Sequence, residues 1–288
     1  MTILFNGAAS AIGAGPWTGF ELGPWGETSW RMPDNNEVAG RGRGPRRCTL
    51  VADPLGQRGQ VIRSELLRGD GDAIAALVGS RRSELSQTSV LQARNTVYWV
   101  KFETLMLSPW PIDPDWASSY RIQAIAQMHD TPDGSDTGRA PPFELYAWGP
   151  DMLIESAAAI NPAADNTGQV RRTLWRKPVA QMLDAWQSWV IRVVWDYRSA
   201  ANGGSAEWTF WLNGRRVFQE AGPQNCFNDT AGIFLATGMY SPTGWATSPV
   251  DRVAYSTGMV IGDNAETFTS FTGSPELERV TPVRLALA

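Results

Sequence analysis

In the stretch WQSWVIRVVWDY, residues 186–197, large apolar side chains recur at every second position, and this pattern decides the fold class. Its odd-numbered positions from 189 to 195 are Trp, Ile, Val and Trp, whereas the positions between them include Arg192. This period of two is typical of a β-strand. Shortly afterwards, AEWTFWLNGRRVFQE (206–220) carries Asn213-Gly214 between two β-like runs, and this dipeptide favours a type I′ hairpin turn. These segments predict three strands of an antiparallel sheet.

Similar short runs, separated by turn-forming residues, recur along most of the chain. They are CTLVA (48–52), QVIRSELL (60–67), RRSEL (81–85), TVYWVKFETLML (96–107), SYRIQAIAQMHD (119–130), FELYAWG (143–149), DMLIES (151–156), VRRTLWRK (170–177), GIFLATGMYS (232–241) and VDRVAYSTGMVIG (250–262). Such spacing, with only short helical candidates, predicts an all-β sandwich or barrel. Without an internal repeat or a linker, we expect one domain over residues 1–288, with residues 1–47 as an irregular wrapping segment.

Composition narrows the classes of function. The net charge of −4 argues against a nucleic-acid-binding protein, and no run of eighteen apolar residues exists that would span a membrane. The start of the chain lacks a basic and then apolar secretory signal. The protein is then cytoplasmic, exported by another route, carried on a phage particle or trimmed of its signal, and of these we expect an extracellular or phage-particle-associated protein. Cys48 and Cys226 are the only cysteines, and a disulfide and two buried thiols are both consistent with the sequence.

His129 is the only histidine, and it lies on a predicted strand two residues after Gln127. Residues two apart point to the same face of a strand, so Gln123, Gln127 and His129 are expected to form a polar stripe. Histidine is the side chain best suited to exchange a proton near neutral pH. An isolated strand histidine more often has a structural role, so the stripe alone does not establish chemistry.

Three short motifs favour a functional role for His129 over a structural one. Arg-Ser-Glu-Leu occurs at residues 63–66 and again at 82–85, Gln-Met-His at 127–129, and Phe-Leu-Ala-Thr-Gly-Met-Tyr at 234–240. Over about residues 50–245 their order resembles the jelly-roll polysaccharide lyases, meaning the alginate lyase, glucuronan lyase and heparin lyase I-like families. Those carry Arg-(Ser/Thr)-Glu-Leu, Gln-x-His and Tyr-Phe-Lys-Ala-Gly-x-Tyr strands in this order. The resemblance implies a concanavalin A-like sandwich of two antiparallel sheets with a concave groove for an acidic polysaccharide.

The resemblance also implies roles for particular residues. Gln127, His129 and Tyr240 match the family's site positions directly. The first motif fits at Arg82 and Glu84, because a single strand then separates it from Gln-x-His, and Arg63 is expected nearby. Arg82 and Gln127 would neutralise a uronate carboxylate, while His129 and Tyr240 transfer protons in a β-elimination. Either Tyr240 acts as both base and acid, or His129 takes the proton and Tyr240 donates one.

Further expectations concern the surroundings of this site. Glu84 is expected to orient Arg82, and the predicted substrate-binding residues are Glu84, Arg63, Gln123, Trp208 and Trp211. The tryptophans enter because Trp stacks on apolar sugar faces, although core packing accounts for most of the fourteen in the chain. No cofactor is required by the scheme, and a structural Ca²⁺ is compatible with it. The expected partner is an acidic polysaccharide, with no nucleic acid and no membrane.

One departure from the family pattern keeps other functions open. Ala236 stands where the family has lysine, and Phe234 stands where it has the first tyrosine. A groove without that cation also suits a non-catalytic carbohydrate-binding module, such as a phage tail or adhesin domain, or a structural virion protein. A glycoside hydrolase would need two carboxylates flanking the bond, and we find no Glu-x-Asp-x-x-Glu strand for them.

Overall fold

Two antiparallel β-sheets make up nearly all of the described structure, as the alternating sequence predicts. The computed structural model describes residues 3–8, 48–66, 81–112, 116–117, 122–131, 139–160, 168–241 and 251–277. Most of the predicted wrapping segment at residues 1–47 and the last part of the tail lie outside these residues. The predicted all-β class is confirmed, and the arrangement is that of a sandwich.

The larger sheet contains eight strands. They are β1 (Ile3–Ala8), β2 (Cys48–Ala52), β3 (Gln60–Leu66), β5 (Val97–Met106), β10 (Gln187–Val194), β11 (Glu207–Leu212), β12 (Arg215–Ala221) and β14 (Arg252–Gly262). Their spatial order is β12-β11-β10-β5-β14-β3-β2, and β1 pairs with β14 beside the end of β3. The alternating residues at 187–194 therefore form a central strand, β10, paired with β5 and β11.

The smaller sheet contains six strands. They are β4 (Arg81–Gln92), β6 (Gln123–His129), β7 (Phe143–Trp148), β8 (Asp151–Ala159), β9 (Gln169–Pro178) and β13 (Ile233–Ser241). Their spatial order is β4-β13-β6-β7-β8-β9, so the strands of the three family-like motifs are immediate neighbours. A short helix, α1 (Phe268–Thr272), follows the last strand. Within the described ranges, no helix is long and apolar enough to cross a membrane.

Two hairpins have turns with positive φ angles, and the one at Asn213-Gly214 was predicted from the sequence. Asn213 and Gly214, between β11 and β12, both have positive φ angles, 50° and 78°, as a type I′ turn requires. Gly149, between β7 and β8, also has a positive φ of 57°. A side chain at Gly149 would collide with the ring of Trp116, because an ideal Cβ would lie 2.3 Å from it. Glycine is therefore required at this turn for two separate reasons.

The core lies between the two sheets and is rich in aromatic side chains. Trp189 on β10 and Trp195, which directly follows this strand, are fully buried in it. Two buried hydrogen bonds join the layers: Trp195 Nε1 donates to Gln92 Oε1 at 2.7 Å, and Thr237 Oγ1 donates to Ser256 Oγ at 2.9 Å. Cys226 is also in this core as a free thiol. These contacts fix which face of the smaller sheet points away from the core.

Candidate active site

The outward face of the smaller sheet brings the family-like motifs together. On β4, β13 and β6, residues such as Leu85, Leu235 and Met128 point into the core, so the residues alternating with them point outward. We call this outward surface the site face. It carries the positions of Arg82 and Glu84 on β4, Phe234, Ala236, Gly238 and Tyr240 on β13, and Gln127 and His129 on β6.

Strand register gives the layout of the predicted residues. Tyr240 on the central strand β13 is opposite Arg82 on β4. Farther along β13, Ala236 is opposite Gln127 of β6, and Phe234 is opposite His129. The predicted positions therefore run as a row across three strands, with Tyr240 and His129 towards its two ends.

Gln127 is held by a carboxylate from two strands away. Its Nε2 donates to Oε1 of Glu84 at 2.6 Å, and both side chains are buried. The bond passes over β13, where the residues opposite Glu84 and Gln127 are Gly238 and Ala236. A long side chain at position 236 would stand in this path. Ala236, which stands where the family has lysine, thus leaves the path between Glu84 and Gln127 open for their direct hydrogen bond. Glu84 was expected to orient Arg82; the bond recorded here is to Gln127.

His129 is fixed from two sides. Its ring stacks on Phe234, with centroids 5.5 Å apart and planes 15° from parallel. Its Nδ1 lies 2.9 Å from Oδ1 of Asp130, and Asp130 is in turn paired with Arg139 at 2.7 Å. The His129 side chain remains 27% exposed, whereas that of Asp130 is completely buried. The imidazole is therefore anchored through Nδ1 and accessible from the site face.

Tyr240 is half-buried at the other end of the row. It packs against a small apolar cluster formed by Ile122, Ala124, Tyr146 and Leu153. This cluster lies on the site face, because Ala124 is opposite both Tyr240 and Tyr146 in the register. The phenol ring is thus supported by packing that does not depend on its hydroxyl group.

A group of acidic side chains continues the site face beyond β6. Glu144 on β7 is opposite Gln127 and Glu155, and Arg171 of β9 donates to Glu155 from Nε at 2.8 Å. Burial, and then repulsion from Glu155 and Glu84, raises the pKa of Glu144 to about 8. Burial and the neighbouring Glu155 also raise the pKa of Tyr146, which therefore stays protonated. Glu144 and Tyr146 are neutral at pH 7, so this region carries less negative charge than its number of acidic residues indicates.

A β-bulge overturns the predicted polar stripe at Gln123. Ala124 and Ala126 face consecutive residues of β7, Tyr146 and Leu145, so Ile125 is the extra residue. Gln123 is consequently opposite Ala147, a core residue, and is buried on that side of the sheet. An extra residue in a strand exchanges its two faces, which is why strict alternation assigned Gln123 wrongly.

Three other predicted substrate contacts lie on the larger sheet. Arg63 is on β3, next to the outward-packed Val61, and pairs with Glu65 at 2.5 Å. Trp208 is 1% exposed in the central core. Trp211 stacks on Trp99 at 5.5 Å, beneath the residues of α1. The expectation that these three side chains line the groove is corrected: Arg63 faces away from it, and both tryptophans serve packing.

The network behind His129 was missed in the sequence. Asp130 directly follows the last residue of β6, so strand alternation no longer fixes its direction. Arg139 follows nine residues later and Asp229 much farther along the chain, and no spacing rule connects either of them with Asp130. Among the residues that the structure describes, no group of three or more His, Cys, Asp or Glu side chains could hold a metal ion. The structural Ca²⁺ stays a prediction.

Comparisons with known proteins give the family of the chain and proteins of similar fold. The chain matches the family described as Polysaccharide lyase over residues 25–259. The solved structure of an endo-β-1,4-glucuronan lyase from the fungus Trichoderma reesei has 15% identity and a TM-score of 0.58, covering 75% of this chain and 87% of that one. An alginate lyase from Pseudomonas aeruginosa has 17% identity and a TM-score of 0.45, covering 71% and 83%. No curated protein matches the chain.

The fold is a β-jelly roll of two antiparallel sheets, and the candidate site lies on the smaller one. The family match covers most of the sequence. The chain belongs to the polysaccharide lyase family, and it is a polysaccharide lyase.

Proposed function

We propose that this lyase cleaves a uronate-containing, acidic polysaccharide by β-elimination on the site face. The observation that supports this most directly is that the positions of Arg82, Gln127, His129 and Tyr240 lie on three neighbouring strands, in adjoining register. These residue types match the needs of the reaction: a cation and an amide for the carboxylate, and two groups that exchange protons.

The proposed reaction removes the proton at C5 of the uronate that follows the cleaved bond. Arg82 and Gln127 bind the carboxylate at C5, which makes the developing negative charge less costly. As His129 takes the C5 proton, the C–H electron pair forms the C4–C5 double bond. The C4–O4 bond breaks, its electron pair stays on O4, and Tyr240 supplies the proton that O4 needs. The products are an unsaturated uronate and a new sugar hydroxyl group.

The spacing along the strands supports separate roles for His129 and Tyr240. Tyr240 is opposite Ala124, five residues before His129 on β6, so the two backbone positions are roughly 15 Å apart at the usual rise per residue. If Tyr240 alone acted as both base and acid, the reaction would not require a second proton-transferring side chain at that distance from it. Two side chains that extend towards each other leave between them a space of the order of one sugar ring. We therefore assign the base to His129 and the acid to Tyr240.

Glu84→Ala is expected to lower kcat/KM by about 10–100-fold, since a hydrogen bond to a charged group contributes about 1.5–3 kcal/mol. Without Glu84, the Gln127 amide loses the acceptor that orients it. Initial rates on the best substrate measure the effect. Glu84→Gln keeps an oxygen acceptor at the same place and should retain most of the activity. Equal losses in the two variants would show that Glu84 acts through its charge and not through Gln127.

The test of the function is a substrate panel of polyuronates and glycosaminoglycans, followed by the ultraviolet absorbance of the 4,5-unsaturated uronate. We expect absorbance to rise with at least one polymer and the rise to vanish in His129→Ala. Binding to a polymer without any rise would favour a non-catalytic carbohydrate-binding module. Release of reducing ends without the chromophore would indicate a hydrolase. Either result would reject the proposed reaction.

A further inference from the structure

The Nδ1 atom of His129 faces two oxygen atoms of Asp130. One is the backbone carbonyl oxygen at 2.9 Å, and the other is the carboxylate Oδ1, also at 2.9 Å. A carbonyl oxygen can only accept a hydrogen bond, and so can an ionised carboxylate. Both contacts are favourable only if Nδ1 carries the hydrogen atom. In the neutral imidazole, Nε2 is then the nitrogen with the free electron pair.

A second layer keeps the Asp130 carboxylate ionised. Arg139 Nη2 lies 2.7 Å from Asp130 Oδ2 and 2.6 Å from Asp229 Oδ1, and its guanidinium group lies over the Phe227 ring. Burial alone would raise the pKa of Asp130, but its contact with His129 and the positive charge of Arg139 hold that pKa below its usual value. For Asp229, burial and the neighbouring Asp130 raise the pKa. Of the two carboxylates, Asp130 is therefore the one that retains its charge.

The two carboxylate oxygen atoms of Asp130 face different partners: Oδ1 faces His129 and Oδ2 faces Arg139. In the part of the chain that the structure describes, the titratable or charged groups interacting with Asp130 are His129, Arg139, Asp229 and the buried thiol of Cys226. Asp130 itself has no exposed side-chain surface. It can therefore reach a substrate only through His129.

We propose that Asp130 is a positioning residue that holds His129 in the Nδ1–H form and so presents the electron pair of Nε2 to the site face. The part of this inference that concerns catalysis rests on the proposed function, whereas the part that concerns the tautomer does not. When Nε2 takes a proton from a substrate, the imidazolium ion that forms is stabilised by the anionic Asp130 behind it. His129 is thus prepared to accept a proton rather than to donate one to the uronate carboxylate.

The tautomer can be observed directly, because His129 is the only histidine. In uniformly ¹⁵N-labelled protein, the imidazole nitrogen signals come from this one residue and need no assignment. In the neutral imidazole, we expect Nδ1 to show the shift of a protonated nitrogen and Nε2 that of an unprotonated one. A protonated Nε2 in the neutral wild-type protein would overturn the proposal.

Asp130→Asn removes the negative charge behind His129, whereas the backbone carbonyl oxygen of residue 130 still accepts a hydrogen bond from Nδ1. We therefore expect the Nδ1–H form to persist, kcat to fall by about tenfold or more with little change in KM, and the acid limb of the pH profile to move to lower pH. An unchanged kcat and pH profile would overturn the proposal. Asp229→Asn leaves Asp130 and Arg139 in place and should keep the wild-type tautomer, which provides a test even where Asp130→Asn does not fold.

A matched control is Asp53→Asn, which removes another buried carboxylate, one that accepts three backbone N–H bonds in a loop of the larger sheet. It should lower stability but leave the His129 spectrum unchanged. The two proposals fail in different ways. An Nδ1–H histidine in a protein that forms no chromophore rejects the proposed reaction only. Chromophore formation by a protein with an Nε2–H histidine rejects the role of Asp130 only.

Discussion

Tyr240→Phe is expected to lower kcat by about 10²–10⁴-fold, the usual contribution of a proton-transferring side chain, with little change in KM. The phenylalanine ring keeps the packing of Tyr240 against Ala124 and Tyr146, so the backbone and the neighbouring Arg82 position should remain in place. Only the hydroxyl group is lost, and with it the proton that the leaving O4 requires. Initial rates of chromophore formation measure kcat, and calorimetric titration with oligosaccharide measures binding.

Tyr255→Phe is the matched control for this experiment. Tyr255 lies on β14 of the larger sheet, opposite Arg63 and away from the site face. Its loss of a hydroxyl group should leave kcat within a few-fold of the wild-type value. Turnover in Tyr240→Phe that remains close to that of Tyr255→Phe would exclude Tyr240 as the acid. That result would also mean that another group on the site face donates the proton to O4.

Much of the fold follows from local sequence patterns. The alternation in residues 186–197 and the Asn213-Gly214 turn each act over a few residues, so the strands and the hairpin form where the pattern predicts them. Which sheet a strand joins is a different matter. Arg63-Ser64-Glu65-Leu66 and Arg82-Ser83-Glu84-Leu85 are identical in sequence, yet one lies in each sheet. Pairing partners are set by distant strands, which no local pattern contains.

The site was predictable to the extent that strand periodicity applies. Gln127 and His129 share a face as their spacing predicts, because no irregularity interrupts residues 126–129. Gln123 is separated from them by the bulge at Ile125, and Asp130 lies just beyond the strand end. Trp208 was predicted as a sugar-stacking residue, but its position on an inward face makes it part of the core. The type of a side chain shows which contacts it can make, and its position in the fold decides whether it can reach a substrate.

The buried Glu144 makes stability depend on pH in a direction that can be tested. Its ordinary pKa of 4.5 applies in the unfolded chain, whereas burial and the nearby Glu155 and Glu84 raise the folded value to about 8. Between these values the folded protein keeps a proton that the unfolded chain has lost. The free energy of unfolding therefore falls by up to about 1.4 kcal/mol for each pH unit of rise in that window. The stabilisation is complete below pH 4.5 and is lost as pH rises through 8.

Glu144→Gln removes this dependence, because an amide resembles the protonated acid and cannot ionise. We expect wild type and variant to have similar free energies of unfolding near pH 5. At pH 9 the variant should be more stable by several kcal/mol, with about 5 kcal/mol as the upper limit set by the two pKa values. Urea unfolding at pH 5, 7 and 9 measures the difference.

Asp184→Asn is the control for this series, since the N–H of Ser108 holds the pKa of that exposed carboxylate below its usual value. Asp184 is therefore ionised throughout the range, and its variant should differ from wild type by a constant amount. A constant difference for Glu144→Gln as well would mean that Glu144 is already ionised at pH 5, with Arg171, 3.7 Å away, as the cation that compensates it. A growing difference would instead establish a neutral carboxylic acid beside Gln127, where the uronate carboxylate is proposed to bind.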